Sequence, residues 1–203
     1  METNDCDFSP LKEELKEKLK SLGEEVDHIA NVLDREETCL LNDFEQLKRK
    51  CGEVESLAST FYLKCYLSSF TEKYAEIAAS VRNLSERRHG ALLAVQRSEP
   101  LDPFVTPGIP VNASLTHSLL ESIFVPGSPL HDGAVLIQQN IITSATNVLP
   151  LSQRVTGQKK LGTRHRAALG LTERCDALVI VVSEETGQAS FSIHGNMYPF
   201  TVH

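Results

Sequence analysis

The chain has 203 residues, and none of its apolar runs approaches the roughly 18 to 20 residues that a membrane-spanning helix needs. Its opening stretch, METNDCDFSP, is acidic and polar, without the basic start or apolar centre of a signal peptide. The expected location is the cytoplasm, with no membrane partner. Cysteine is sparse: Cys6, Cys39, Cys51, Cys65 and Cys175 are odd in number, widely spaced and never in a CxxC pair. That pattern indicates neither a disulfide framework nor a zinc site, and the five read as reduced core or surface thiols. Internal repeats and low-complexity segments are absent. A basic excess is missing as well, since the net charge is -7. Residues 1–69 hold 9 Lys+Arg against 16 Asp+Glu, whereas residues 70–203 hold 11 of each. Binding to nucleic acid or an anionic membrane needs a basic face, so neither is expected, and any phosphate site must be local. What remains is a globular composition, 41% hydrophobic and 23% charged, with room for one substantial domain plus a smaller appendage.

The N-terminal third reads as helices. Ser9 can cap a helix with Pro10 at its first position, and Phe8, Leu11, Leu15, Leu19 and Leu22 recur at spacings of three and four until Gly23. A second pattern runs through Val26, Ile29, Leu33, Leu40, Phe44, Leu47, Cys51 and Val54, interrupted at Glu36 and Glu37. Together they predict a helical hairpin over residues 1–65 with a narrow apolar seam. Such a seam packs on the rest of the chain or on a copy of itself.

From Phe70 the pattern changes. FTEKYAEIAASVRNL continues as helix, and Gly90 introduces ALLAVQR as a central strand. TPGIPVN reads as a loop on the strength of Pro107, Gly108 and Pro110, and ASLTHSLLESIF as a helix. AVLIQ, IITSATNV, ALVIVVS and ASFSIHG read as strands, with turns at Asn140 and at Gly195-Asn196. GTRHRAALGLTERCD favours a helix between the second and third of these. The fold class predicted for residues 66–203 is α/β, a single mixed β-sheet flanked by helices, preceded by the N-terminal α-helical hairpin.

Three polar clusters could carry chemistry. In GTRHRAALG, Thr163 as N-cap would put Arg164, His165 and Arg166 in the first helical turn, where the helix dipole is already positive. Two cations there are unfavourable unless an anion docks on the same turn, where free N–H groups, guanidinium forks and an imidazole suit phosphate. The plainer alternative is a solvated basic patch. Ser183, Glu184 and Glu185 follow an apolar strand, and taken alone they read as a solvated hairpin. His131-Asp132-Gly133 taken alone is a turn into a strand. Brought together along one sheet rim, the clusters would supply a phosphate cradle and carboxylates for a divalent cation, the combination nucleotide chemistry uses.

The segments SPLHDGAVLI, LGTRHRAALGLTERCDALVIVVSEETG and, more loosely, RHGALLAVQR resemble the diadenylate cyclase domain, which joins two ATP molecules into cyclic di-AMP. Its two signatures are matched by Asp132-Gly133-Ala134 and Arg164-His165-Arg166, over about residues 70–197. The resemblance implies that Asp132 serves the attacking ribose 3′-hydroxyl and a Mg2+ or Mn2+ ion, with His131 as a possible further ligand. Gly133 and Ala134 would allow close approach to the nucleotide, and Thr163, Arg164, His165 and Arg166 would hold the triphosphate. Ser183 with Glu184 or Glu185 would belong to the metal and phosphate region. Val148 and Leu149 would border the adenine, with Val148 standing where family members often carry an aromatic residue. One chain offers one set of motifs, so the resemblance implies that two chains present two ATP molecules face to face. A helical hairpin ahead of the domain resembles the sporulation-type members, in which such helices promote a higher homo-oligomer and restrain activity. Two other readings compete: a His-Asp phosphohydrolase, which would need further ligands on helices, and a catalytically silent nucleotide-binding regulator.

Overall fold

The computed structural model describes residues 9–33, 40–153 and 161–201, and the chain divides into two compact units, Met1–Cys65 and Tyr66–His203. Phe8, Glu36, Glu37, Cys6 and Cys39 lie outside the described residues. Cys51, Cys65 and Cys175 form no disulfide.

In the first unit α1 spans Ser9–Leu33, and α2 begins at Leu41 and runs to Ser68. The pairs Glu25 with Lys50 and Lys18 with Glu53 set the two helices antiparallel. Gly23 does not end α1, contrary to the reading above. An interior glycine costs only about 1 kcal/mol relative to alanine, and the row Leu15, Leu22 and Ile29 continues through it, half-buried at its first two positions and buried at the third. The expected seam of Leu15, Leu19, Leu33 and Leu40 is divided. Leu15 and Leu40 are half-buried, whereas Leu19 and Leu33 are 50% and 61% exposed, in a second row with Val26.

The second unit is built on one seven-stranded mixed sheet in the order β2-β4-β3-β1-β5-β6-β7. Its strands are β1 (Ala91–Val95), β2 (Ile109–Ser114), β3 (Ala134–Gln138), β4 (Ile141–Asn147), β5 (Leu178–Val182), β6 (Ala189–Ile193) and β7 (Asn196–Phe200). β1 pairs in parallel with β3, and every other neighbouring pair is antiparallel. ALLAV and LVIVV are buried at every position, as central strands covered on both faces must be. On one face Leu92, Ala94, Val179 and Val181 join Ala167, Ala168 and Leu171 of α5 (Thr163–Thr172). Successive strand residues point to opposite faces, so Leu93 and Ile180 face the other way. α3 (Tyr74–Glu86) packs on β5 and on α4 (His117–Ile123).

The helix predicted across Phe70 is broken after Ser68 and restarts at Tyr74, with Lys73 as N-cap. α3 ends with His89 N–H donating to Leu84 O and Arg88 N–H to Ser85 O, and Arg88 takes the left-handed conformation, φ 53°, usually left to glycine. TPGIPVN is partly strand, not loop. β2 is an edge, and its register shifts between Pro110 and Ala113, which is where a sheet accepts proline. β7 extends the other edge, with Pro199 opposite Ser190. α4 is shorter than predicted, capped by Thr116 Oγ1 accepting from Leu119 N–H.

This topology sorts the loops by rim. The parallel pair β1 and β3 begin on the rim where the antiparallel β4 and β5 end. Gly90, Asp132-Gly133, Asn147-Val148 and Ser183-Glu184 therefore share one end of the sheet. At the opposite end a hollow of about 430 Å3 opens beside Arg97, whose guanidinium lies 4.8 Å from the centroid of the Phe70 ring.

Candidate active site

The first motif rests on a loop tied to itself. Leu130 N–H donates to Ser128 Oγ, and His131 meets Ser128 O through its backbone N–H and, at 2.5 Å, through Nδ1. A carbonyl only accepts, so Nδ1 carries a proton, and in the neutral ring Nε2 keeps its lone pair. Asp132 is exposed. Gly133 has φ 93°, and a Cβ there would lie 2.8 Å from the carbonyl carbon of Thr146 and 2.9 Å from Asn147 O. Both the conformation and the approach require glycine. Ala134 opens β3 and is fully buried.

Beneath this motif β4 is irregular. Ala134 pairs with Asn147 and Leu136 with Ser144, so Val135 faces two residues, Ala145 and Thr146, and Thr146 adopts φ 59°. That conformation costs roughly 1–2 kcal/mol. Asn147, 1% exposed, bridges the irregularity. Its Nδ2 donates to Ala134 O at 2.9 Å, and its Oδ1 accepts from Gly108 N–H at 2.8 Å and from Ser144 Oγ at 3.0 Å. The next two residues diverge: Val148 is 62% exposed and Leu149 is 5% exposed, packed into the cluster under α5. Of the two residues expected beside a base, only Val148 presents its side chain at the surface.

The second motif begins one residue earlier than expected, with Gly162 and not Thr163 as the N-cap of α5, and no side chain caps it. Arg166 N–H donates to Gly162 O, so the N–H groups of Thr163, Arg164 and His165 precede the helical ladder and are available to a ligand. They open on a hollow of about 480 Å3 whose walls include Thr163, Arg164, His165, Ser183, Glu184 and Glu185. Arg164 Nη1 meets Glu184 Oε2 at 2.6 Å, with the arginine 25% and the glutamate 62% exposed. Gly90 floors this pair: a Cβ there would lie 2.5 Å from Arg164 Nη1 and 2.8 Å from Glu184 Oε2. Burial lowers the pKa of His165 and favours its neutral form, with the charge of Glu185 opposing. Ser183 shapes the acidic turn, its Oγ accepting from Thr186 N–H.

Arg166 points elsewhere. Its Nε and Nη2 donate to Ser152 O at 3.4 and 3.2 Å, and Ser152 N–H donates to Arg166 O at 2.9 Å. Ser152 Oγ also donates to Glu173 at 2.7 Å. The two arginines of the motif therefore differ: Arg164 faces the hollow, and Arg166 clips the segment after β4 to α5. The structure unites the second motif with the acidic loop in one hollow. Asp132 stands on the same rim but outside that wall. Sequence reasoning missed Gly90, Asn147 and Ser152. Only Gly90 carried a signal, a glycine directly before a buried strand.

The family model described as DisA bacterial checkpoint controller nucleotide-binding matches residues 78–197, and that of Diadenylate cyclase CdaS, N-terminal, matches residues 2–70. The chain is 46% identical over 196 residues to the Diadenylate cyclase CdaS of Bacillus thuringiensis (strain BMB171), covering 95% of this chain and 98% of that protein. It is 45% identical over 171 residues to the Cyclic di-AMP synthase CdaS of Bacillus subtilis (strain 168), covering 84% and 82%. A crystal structure from Bacillus cereus, described as a hypothetical membrane spanning protein, superposes with a TM-score of 0.82 at 45% identity, over 95% of this chain and 94% of that one. Among the described residues of the present chain, no helix is long and apolar enough to cross a membrane. With both family models matched and near-complete coverage of a curated relative, the chain belongs to the diadenylate cyclase family.

Proposed function

We propose that the protein joins two ATP molecules into cyclic di-AMP and two pyrophosphates, on paired active sites presented by two chains. The observation that carries this reading is the hollow where the unfilled N–H groups of α5 and Arg164 face Glu184 and Glu185, on the rim that also bears Asp132. Each ribose 3′-hydroxyl attacks the α-phosphate of the opposite ATP. A 3′-oxygen–phosphorus bond forms, the bond from that phosphorus to the pyrophosphate oxygen breaks, and the hydroxyl proton passes to the Asp132 carboxylate. The start of α5 and Arg164 take up the charge that grows on the departing pyrophosphate. His165, its neutral form favoured by burial, contributes a hydrogen bond to the phosphates. In exchanging Glu184 for phosphate, Arg164 releases a carboxylate toward the substrate.

Among the described residues no three His, Cys, Asp or Glu side chains form a ready cage for a metal. The donors on the rim, Asp132, Glu184, Glu185 and Nε2 of His131, are mostly carboxylate oxygens. They suit Mg2+ or Mn2+, which bind few protein ligands and complete their shell with phosphate and water. Such an ion would draw charge from the phosphates. Holding two ATP molecules in register can supply roughly 7 to 11 kcal/mol of the barrier at the upper end, so pairing of chains is part of catalysis. For residues 1–65 we propose a role in higher self-association and restraint of the cyclase unit, residues 66–203. The exposed row Leu19, Val26 and Leu33 offers the apolar contact surface. A cytoplasmic location suits an enzyme fed by ATP.

The test is incubation with ATP and Mg2+ or Mn2+, followed by mass spectrometry. Cyclic di-AMP is expected, and Asp132→Asn should abolish it while ATP still binds. Pyrophosphate release without a cyclic dinucleotide would overturn the proposal. Nucleotide binding without turnover under either metal would point instead to a silent regulator.

A further inference from the structure

The irregularity of β4 falls where the first motif must be held in place. Opposite Val135 the ladder of β3 and β4 carries an extra residue, and Thr146 sits there with a left-handed backbone. Two glycines crowd against it. A Cβ at Gly133 would lie 2.8 Å from the Thr146 carbonyl carbon, and one at Gly108 would lie 2.6 Å from the same atom. Ala134 pairs with Asn147, but regular pairing with β4 lapses one residue later, so of Asp132-Gly133-Ala134 only the alanine lies in that ladder.

Asn147 fills that gap. Among the described residues its amide is the only side-chain group whose bonds reach both Ala134 O, inside the motif, and Gly108 N–H, in the loop before β2. Ser144 Oγ supplies a third bond to Oδ1, while Gly108 N–H, which only donates, and Ala134 O, which only accepts, fix which way the amide faces. The neighbouring Val148 is tied to Thr106 by two backbone bonds of 2.9 and 3.0 Å, so the chain on that side is secured without the Asn147 side chain. The amide adds a side-chain bond at the start of β3, beside the backbone pairing of Ala134 with Asn147, and the Asp132 carboxylate stands two residues before it.

We infer that Asn147 is a positioning residue for the cyclase reaction, its buried amide setting the place of Asp132 through the Ala134 carbonyl. The inference rests on the reading of Asp132 as the group that serves the 3′-hydroxyl. It separates attack from binding, because the triphosphate cradle of Arg164 and α5 has no bond to Asn147.

Asn147→Asp tests it in the full-length chain. The substitution keeps an acceptor for Gly108 and Ser144 and replaces the donor to Ala134 O with an oxygen that repels it. We expect kcat to fall by about tenfold or more with KM for ATP little changed, even though the buried carboxylate lowers the thermal midpoint, whereas Ser144→Ala should alter kcat by less than about twofold. An unchanged kcat overturns the inference, as does a kcat, ATP affinity and thermal midpoint that decline together. If Asn147→Asp does not fold, Asn147→Ser is measured in its place with the same expected split, and failure of both to fold overturns the positioning role in favour of a purely structural one. Asp132→Asn assayed in parallel tells the two readings apart. If it stays active the reading of Asp132 fails, whereas if it is inactive and Asn147→Asp is not, only the inference fails.

Discussion

Arg164 carries a double duty at the scale of single residues. It is paired with Glu184 at 2.6 Å, so the cation proposed to meet phosphate is oriented by a carboxylate. Gly90 makes that approach possible, because its missing side chain leaves room for both groups. Gly90→Ala should therefore push the guanidinium out of line and raise KM for ATP about tenfold, equivalent to about 1.4 kcal/mol. Steady-state kinetics would check this, and an unchanged KM would show that the pair moves aside freely. His165 was legible in the sequence as a member of the motif. Its neutral state was not, because only burial beside the hollow lowers its pKa.

Elements decide how the motifs reach one another. The run from Asn147 to Ser152 leaves the sheet with Val148 outward and Leu149 inward, and Arg166 closes it onto α5 through Ser152 O. A charged donor on a carbonyl contributes roughly 1.5–3 kcal/mol. Arg166→Ala should lower urea stability by about 1–2 kcal/mol, at the discounted end because Arg166 is exposed. Loss of ATP affinity with no loss of stability would instead return Arg166 to the cradle. Both strands absent from the sequence reading, β2 and β7, are the edges of the sheet, and each contains a proline, Pro110 or Pro199. Alternation and apolar runs identified the central strands because burial on both faces forces them. At an edge only one neighbour asks for N–H donors, so a proline that looks like a loop signal is accepted.

The proposed reaction needs two motif sets, and a single chain carries one. Its two units differ in charge and architecture, and residues 1–65 contain two antiparallel helices with one apolar row inside and a second row, Leu19, Val26 and Leu33, exposed. Deleting residues 1–65 should raise cyclic di-AMP production per chain when compared at equal dimer content by analytical ultracentrifugation. Equal or lower activity would remove the restraint from the reading.

The sequence by itself determined the fold class and which runs form the central strands, because burial on both faces leaves recognisable apolar runs, and the resemblance to the family singled out the motif residues. The sequence divided α1 at Gly23, so the two rows that run through that glycine, one covered and one exposed, became visible only in the folded helix. Tertiary structure decided that Arg164 and Arg166, two residues apart, do different work, since successive side chains on a helix leave in different directions. It decided too that Asn147, an unremarkable polar residue at the end of a strand, supports the motif. The need for that amide arises only where β4 bulges against β3, and a bulge is a property of paired strands that neither strand's sequence displays alone.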